Sequence, residues 1–270
     1  MINKYEFRDE KWIDIDHGTA EEIHEIMDTY SIHPFVAKEL TSKTPKPRLE
    51  LHDTYIYCIL HFPAWKHTHA KDEKSQEVDF IIGKKVLITA RYDTIDALHK
   101  LGKDLEVEEV LKKGGNMDKI SSHAIFITML RELYVSLFEE LEYIEDRTDV
   151  ITSKIFKGKE KKMVIEISEV TRTLIDFKKV TDLHHEILEA LKKEGQKVFG
   201  EEFANEMELV ISEYLKINTT IRSNLDMLRE LRETNNSLLT SKQNETVKTF
   251  TIIGSILLVI NLIVTVFLFF

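Results

Sequence analysis

The sequence predicts an α/β N-terminal cytosolic domain followed by a stalk of long helices and one transmembrane helix, and three observations carry that expectation. All four prolines (Pro34, Pro45, Pro47 and Pro63) stand in the first 63 residues. Beyond Gly115 only Gly158, Gly195, Gly200 and Gly254 remain as helix breakers, so the second part of the chain has few reasons to leave a helix. The last 21 residues, 250–270, carry neither charge nor proline. The corresponding divisions are 1–115 for the α/β domain, 116–249 for the stalk and 250–270 for the membrane helix.

Within the first part, Thr19-Ala20-Glu21-Glu22 has the spacing of a capping box ahead of Ile23 and Ile26, which predicts a helix start. Pro34 suits the first turn of a short helix reaching about Leu40. RLELHDTYIYCILHF (48–62), EVDFIIG (77–83) and KVLITAR (85–91) are rich in β-branched and aromatic residues at strand length. Gly83-Lys84 between the last two reads as a hairpin turn.

The second part predicts three helices. The first covers 122–156, with Ile125, Met129, Leu133, Leu137, Leu141, Ile144 and Ile151 at spacings of three and four. The second covers 159–195, with Val164, Ile167, Val170, Leu174, Val180, Leu183, Ile187 and Leu191 as its apolar positions. After Gly200 a single helix is expected from 202 to 270, about 100 Å long at 1.5 Å per residue. Leu209, Ile211, Leu215, Ile217, Ile221, Leu225, Leu228, Leu231 and Leu238 supply its apolar stripe for a bundle or an oligomer.

Composition narrows the function. A chain of 270 residues, 43% hydrophobic and 31% charged, has room for one or two packed domains. Its 47 acidic and 37 basic residues give a formal charge of −10, which disfavours nucleic acid as a partner. Cys58, the one cysteine, can neither close an intrachain disulfide nor build a multi-thiolate zinc site. No GxGxxG, P-loop, GxSxG or HExxH pattern occurs, so no enzyme is expected. His67, His69, Asp72 and Glu73, with His61 upstream, could hold a metal if a turn gathered them, but their polar, Lys-rich setting reads as a solvated connector. His184 and His185 point to different faces of a helix and read as surface or packing residues. Asp176, Asp182, Glu139 and Glu140 read as solvated helix charges.

The terminal stretch FTIIGSILLVINLIVTVFLFF spans roughly 31 Å as a helix, matching a hydrocarbon core of about 30 Å. A buried helix of a soluble core is the alternative. Lys242 and Lys248 on its N-terminal side put the preceding domain in the cytoplasm by the positive-inside rule, at a cell membrane. With Asn244 at zero and about 100° per residue, Thr251, Gly254, Ser255, Asn261 and Thr265 fall in an arc of about 120°. That arc is either a pore face, whose hydroxyl and amide oxygens hold water around a permeating cation when several copies ring an axis, or a helix-packing face.

His33-Pro34, PKPRLELHDTYIYCIL (45–60) and EVDFIIGKKVLITAR (77–91), followed by LLTSKQNETVKTFTII (238–253) leading into the membrane helix, resemble the CorA family of divalent-cation transporters in order and spacing over nearly the whole chain. The resemblance implies a homopentamer with a cytosolic sensor domain and a stalk helix continuous with the pore helix. It implies transport of Mg²⁺, with Co²⁺ or Ni²⁺ as further cargo, down the electrochemical gradient. By the same resemblance Asn244 stands at the cytoplasmic mouth of the pore, Val247 and Phe250 at a hydrophobic gate, and Thr251, Ser255 and Leu258 along the pore face. Asn261 and Thr265 extend that face. Mg²⁺ is the transported ion and a candidate regulatory ion, with no organic cofactor. No regulatory metal ligand is assigned, because Leu209 falls near the family's stalk position for that carboxylate. Leu268-Phe269-Phe270 stands where the family's Gly-Met-Asn signature is expected, so this sequence lacks that signature and the family's second membrane helix and reads either as a truncated transporter or as a degenerate homologue that does not conduct. The alternatives are therefore an exporter of Zn²⁺ or another metal, or a non-conducting, membrane-anchored scaffold.

Overall fold

The computed structural model of the protein describes residues 1–7, 9–63, 75–92, 95, 98–103 and 121–269. They fall into two compact units, Met1–Glu142 with Leu174–Arg222 and Tyr143–Thr173 with Ser223 onward. The expected domain boundary near residue 115 lies outside the described residues.

The first unit is built on a six-stranded sheet of β1 (Ile2–Phe7), β2 (Glu10–Asp16), β3 (Arg48–Leu51), β4 (Tyr55–Pro63), β5 (Ser75–Gly83) and β6 (Val86–Arg91), in the order β1-β2-β6-β5-β4-β3. Among the described strands only β2 and β6 pair in parallel, from Lys11 beside Val86 to Asp16 beside Arg91. The expected strand over 48–62 is two strands. They turn through His52-Asp53-Thr54, where the His52 amide donates to the Tyr55 carbonyl at 3.0 Å. The hairpin turn forms one residue beyond the expected Gly83-Lys84, at Lys84-Lys85, because Gly83 still belongs to β5 and Ile82 is registered against Leu87. Local sequence does not mark β1 and β2 as strands, because their polar-rich sequences INKYEF and EKWIDID lack the run of β-branched residues that marks the later strands.

Between β2 and β3 lie α1 (Ala20–Tyr30) and α2 (Pro34–Glu39). The capping box forms as its spacing requires: the Glu22 amide donates to Thr19 Oγ1 at 3.3 Å and the Thr19 amide donates to Glu22 Oε2 at 2.9 Å. Pro34 opens α2, and His33 Nδ1 caps it by accepting from the Phe35 amide at 3.2 Å. Ile23 and Ile26 of α1 and Val36 of α2 join Ile13, Tyr57, Ile59, Ile81 and Ile88 in one core. Residues of opposite parity along the strands point to the other face. There Phe80 meets Phe126 edge-on, with centroids 5.1 Å apart.

Phe126 belongs to α3 (Ser122–Phe156), which has the expected bounds, and all seven of its expected core residues are buried. The helix expected over 159–195 is two, α4 (Glu160–Thr181) and α5 (His184–Phe199). Neither proline nor glycine marks the break; a buried histidine does. His184 Nε2 lies 2.8 Å from the His61 carbonyl, which can only accept, so that nitrogen carries the proton and Nδ1 accepts from the Tyr134 hydroxyl at 2.9 Å. Of the apolar positions expected to be inward, Val164 and Leu183 are exposed instead. Gly195 of α5 is a close-approach site, since a Cβ there would stand 2.1 Å from the Phe203 ring. Gly200, at φ 95°, takes a left-handed turn that an L side chain disfavours. The last helix, α6 (Glu201–Phe269), follows without interruption.

In the second unit Ile144, Ile151 and Ile155 of α3, Met163, Ile167 and Val170 of α4, and Leu228 and Leu231 of α6 are buried. Polar ties fix their register: Asn224 Nδ2 donates to Glu145 Oε1 at 3.1 Å and Arg232 Nη2 to Thr171 Oγ1 at 3.3 Å. On the expected stripe of α6, Ile211, Ile217 and Ile221 are buried, whereas Leu209 and Leu215 are exposed.

One buried charge pair closes the sheet at the β2–β6 junction. Arg91 donates through Nη2 to Asp14 Oδ2 at 3.1 Å and lies 3.0 Å from Asp16 Oδ2, while Thr89 Oγ1 donates to Asp14 at 2.8 Å and accepts from Trp12 Nε1 at 3.0 Å. Replacing Arg91 by Met leaves Asp14 without its counter-charge in a buried site. The expected loss is about 3–5 kcal/mol, seen as a lowered melting temperature. Burial depresses His184 from its ordinary 6.5 to about 4. Below pH 6.5 the unfolded chain binds a proton that the folded ring refuses, so stability falls as pH drops from 6.5 towards 4. Denaturation of His184→Gln against the parent across that window should show a pH dependence shallower by about one proton.

Candidate functional site

The functional candidate is the C-terminal part of α6, and its sequence explains both its continuity and its surface. Glu201 and Glu202 occupy the first turn, where the helix dipole favours acidic groups, and no glycine or proline intervenes until Gly254. Every described side chain from Thr240 to Val266 is exposed. The helix holds a window long and apolar enough to cross a membrane, none of it buried. An apolar helix exposed on all sides fits a bilayer, where backbone groups must bond within the helix.

The hydroxyl residues obey the same requirement. Thr251 Oγ1 donates to the Val247 carbonyl at 2.9 Å, Ser255 Oγ to the Thr251 carbonyl at 2.8 Å, and Thr265 Oγ1 to the Asn261 carbonyl at 2.8 Å. Each proton is spent on the helix backbone, so each oxygen turns its lone pairs outward. An oxygen presented in this way accepts from water and can hold the hydration shell of a cation. Asn244, Val247, Phe250, Thr251, Ser255, Leu258, Asn261 and Thr265 all stand on this helix and all are exposed, Phe250 by 70% and Leu258 by 73%. From Asn244 to Thr265 the face runs about 32 Å along the helix axis.

The histidine-rich metal reading does not survive for His61. Residues 67–69 and 72–73 lie outside the described residues. His61 itself packs into the sheet, its Nε2 2.9 Å from the Thr44 carbonyl and 3.0 Å from Glu77. Among the described residues no group of three or more His, Cys, Asp or Glu side chains is arranged to hold a metal ion.

Two carboxylate features escaped the sequence reading. Glu77 and Asp79, two apart on β5, share one buried face of the sheet. Glu77 accepts from the Thr44 amide at 2.7 Å, and Asp79 accepts from the Tyr57 hydroxyl at 3.0 Å. Burial, with the neighbouring Glu77 carboxylate, pushes Asp79 well above the carboxylate range. The i, i+2 acids inside the apolar run EVDFIIG were the available signal. Glu140, expected to be solvated, is half-buried; burial and then the adjoining Glu139 raise it to about 7.

The family model for the CorA-like Mg²⁺ transporter protein matches residues 9–267. This chain belongs to that family. The CorA-like relatives include the cobalt/magnesium transport protein CorA of Thermotoga maritima, 23% identical over 97% of this chain and 74% of that protein. A putative metal ion transporter, YfjQ of Bacillus subtilis, is 22% identical over 95% of this chain and 77% of its own length. Among solved structures, the complete CorA magnesium transporter of Methanocaldococcus jannaschii matches with a TM-score of 0.78 at 18% identity, covering 93% of this chain and 77% of that one. The ZntB cytoplasmic domain of Vibrio parahaemolyticus matches at 0.66 with 12% identity, covering 86% and 89%. These likenesses establish the CorA fold, and the family is one of divalent-cation transporters. A CorA-type chain also accounts for the motif order noted at His33-Pro34, 45–60, 77–91 and 238–253.

Proposed function

We propose that this CorA-family protein passes Mg²⁺, with Co²⁺ as a further cargo, through a pore formed when several copies of α6 surround a common axis. The observation that carries the reading is the exposed face of α6, where back-bonded hydroxyls at Thr251, Ser255 and Thr265 aim oxygen lone pairs outward from a charge-free span. Mg²⁺ sheds its water reluctantly, so neutral oxygens that grip the hydration shell suit it better than a tight protein cage. Asn244 lies at the cytoplasmic mouth, and Val247 and Phe250 narrow the path as a hydrophobic gate that closes by dewetting. Leu258 and Asn261 continue the wall. The copies form a homopentamer in the cell membrane, with the N-terminal domain in the cytoplasm gating the path. The domain assignment follows: 1–115 as sensor, 116–249 as stalk, 250–270 as span.

An inward-negative potential favours a divalent ion by about 4.6 kcal/mol per 100 mV, twice the value for a single charge, so transport needs no nucleotide.

Flux into vesicles bearing the full-length protein tests the proposal. Mg²⁺ uptake should rise with inside-negative potential. Thr251→Val combined with Ser255→Ala should cut it at least about tenfold, since a hydrogen bond to an ion's shell is worth about 1.5 kcal/mol or more. Phe250→Ala should raise it, because a wider, less apolar constriction dewets less readily. Zn²⁺ export with no Mg²⁺ uptake would replace the cargo, and oligomeric protein without any flux would mark a scaffold instead of a transporter.

A further inference from the structure

The turn between α3 and α4 carries a charge pattern that the ion path does not use. Residues 154–162 read KIFKGKEKK, five lysines and one glutamate, in a protein of formal charge −10. The glutamate is already matched: Glu160 is buried, and Lys242 of α6 reaches it at 2.6 Å. Lys157, Lys159, Lys161 and Lys162 are exposed, and among the described residues none of the five lysines forms an ion pair. Beside them Phe156 is 68% exposed and Ile165 67%.

Hydrogen bonds within the second unit give this turn its direction. Glu145 of α3 meets Asn224 of α6, and fifteen residues later Glu160 meets Asn235 and Lys242, so α3 advances alongside α6 towards the apolar span. α4 returns, because its Thr171 meets Arg232. The Lys157-Gly158-Lys159 turn is therefore the end of the hairpin nearest the span. Gly158, at φ 82°, permits the reversal, and a Cβ there would stand 3.6 Å from Lys242 Nζ. Lys242 precedes Phe250 by eight residues, about 12 Å of helix. The headgroup layer extends about 5–8 Å beyond the hydrocarbon, and charges act over a Debye length of about 8 Å at physiological salt.

We propose that the lysine turn at 154–162 docks on the anionic lipid headgroups of the leaflet that α6 enters, with Phe156 seated at the interface. The inference rests on the membrane placement of α6 given above. Lysine, a hydrated point charge without a planar fork, suits a diffuse layer of phosphates better than a bidentate pocket, and the turn holds no arginine. Phe156 adds an aromatic ring at the depth where amphipathic anchors concentrate.

The test uses the full-length protein with Ser153→Cys, an exposed position one turn before Lys157, carrying a fluorophore; Cys58 is fully buried and escapes labelling. The protein is placed in bilayers of phosphatidylcholine alone or with about one third phosphatidylglycerol, and quenching by headgroup spin labels is read. Stronger quenching in the anionic bilayer, weakened by added salt, is expected. Lys157→Gln with Lys159→Gln and Lys161→Gln should reduce the anionic preference about fivefold per lysine, and the corresponding arginine variants should retain it. Equal quenching in both bilayers, indifference to the glutamine variants while helicity is unchanged, or displacement by inorganic phosphate would overturn docking on lipid. Resistance of α6 to carbonate extraction is scored separately. If the helix stays in the bilayer and the preference is missing, this inference alone fails; if the helix is extracted, both readings fail.

Discussion

A helix that crosses hydrocarbon must satisfy its own backbone, and most of what is distinctive about α6 follows from that demand. With no proline from 201 to 269 no amide beyond the first turn is denied its intrahelical carbonyl, and the hydroxyls of Thr251, Ser255 and Thr265 are tied to carbonyls four residues earlier. The tie makes a polar side chain tolerable in an oily span and at the same time decides which part of it remains available. Hydroxyl lone pairs turned outward in this way are compatible with the hydration shell of a cation.

The first unit obeys the complementary rule of a dry protein core, in which every charge needs a partner. Asp14 meets it with Arg91 and Thr89. Asp79 meets it by accepting from the Tyr57 hydroxyl, while burial raises its affinity for a proton. His184 meets it by staying neutral between a carbonyl and a tyrosine hydroxyl. These three solutions are each brittle, because a lost partner leaves a buried charge or dipole without compensation. The Glu160–Lys242 pair in the second unit is a milder case, with Lys242 half in solvent.

Local rules were legible where they involved neighbours in the chain. The capping box at Thr19–Glu22, the proline start at Pro34 and the bounds of α3 depend on residues within a turn or two of one another. Elements that distant residues decide are not legible in local sequence. β1 and β2 are strands because β6 offers β2 a parallel partner, seventy-five residues away in sequence. The break between α4 and α5 exists because His184 turns inward to the His61 carbonyl, which no helical periodicity encodes. For the candidate site, the polar arc was visible in spacing alone, whereas the burial of Glu77 and Asp79 required the sheet to bring β4 and Thr44 against them.

The chain by itself determined its class, its charge-free terminal span and the angular sector of Asn244, Thr251, Ser255 and Thr265. Composition and the 100° helical step are properties of covalent order, unaffected by folding partners. Only the tertiary structure decided which way the hydroxyl protons point, which acids lose water, and where the Lys157–Lys159 turn lies along α6. Those depend on atoms far apart in the chain meeting within hydrogen-bonding distance, a short-range interaction that linear order does not prescribe.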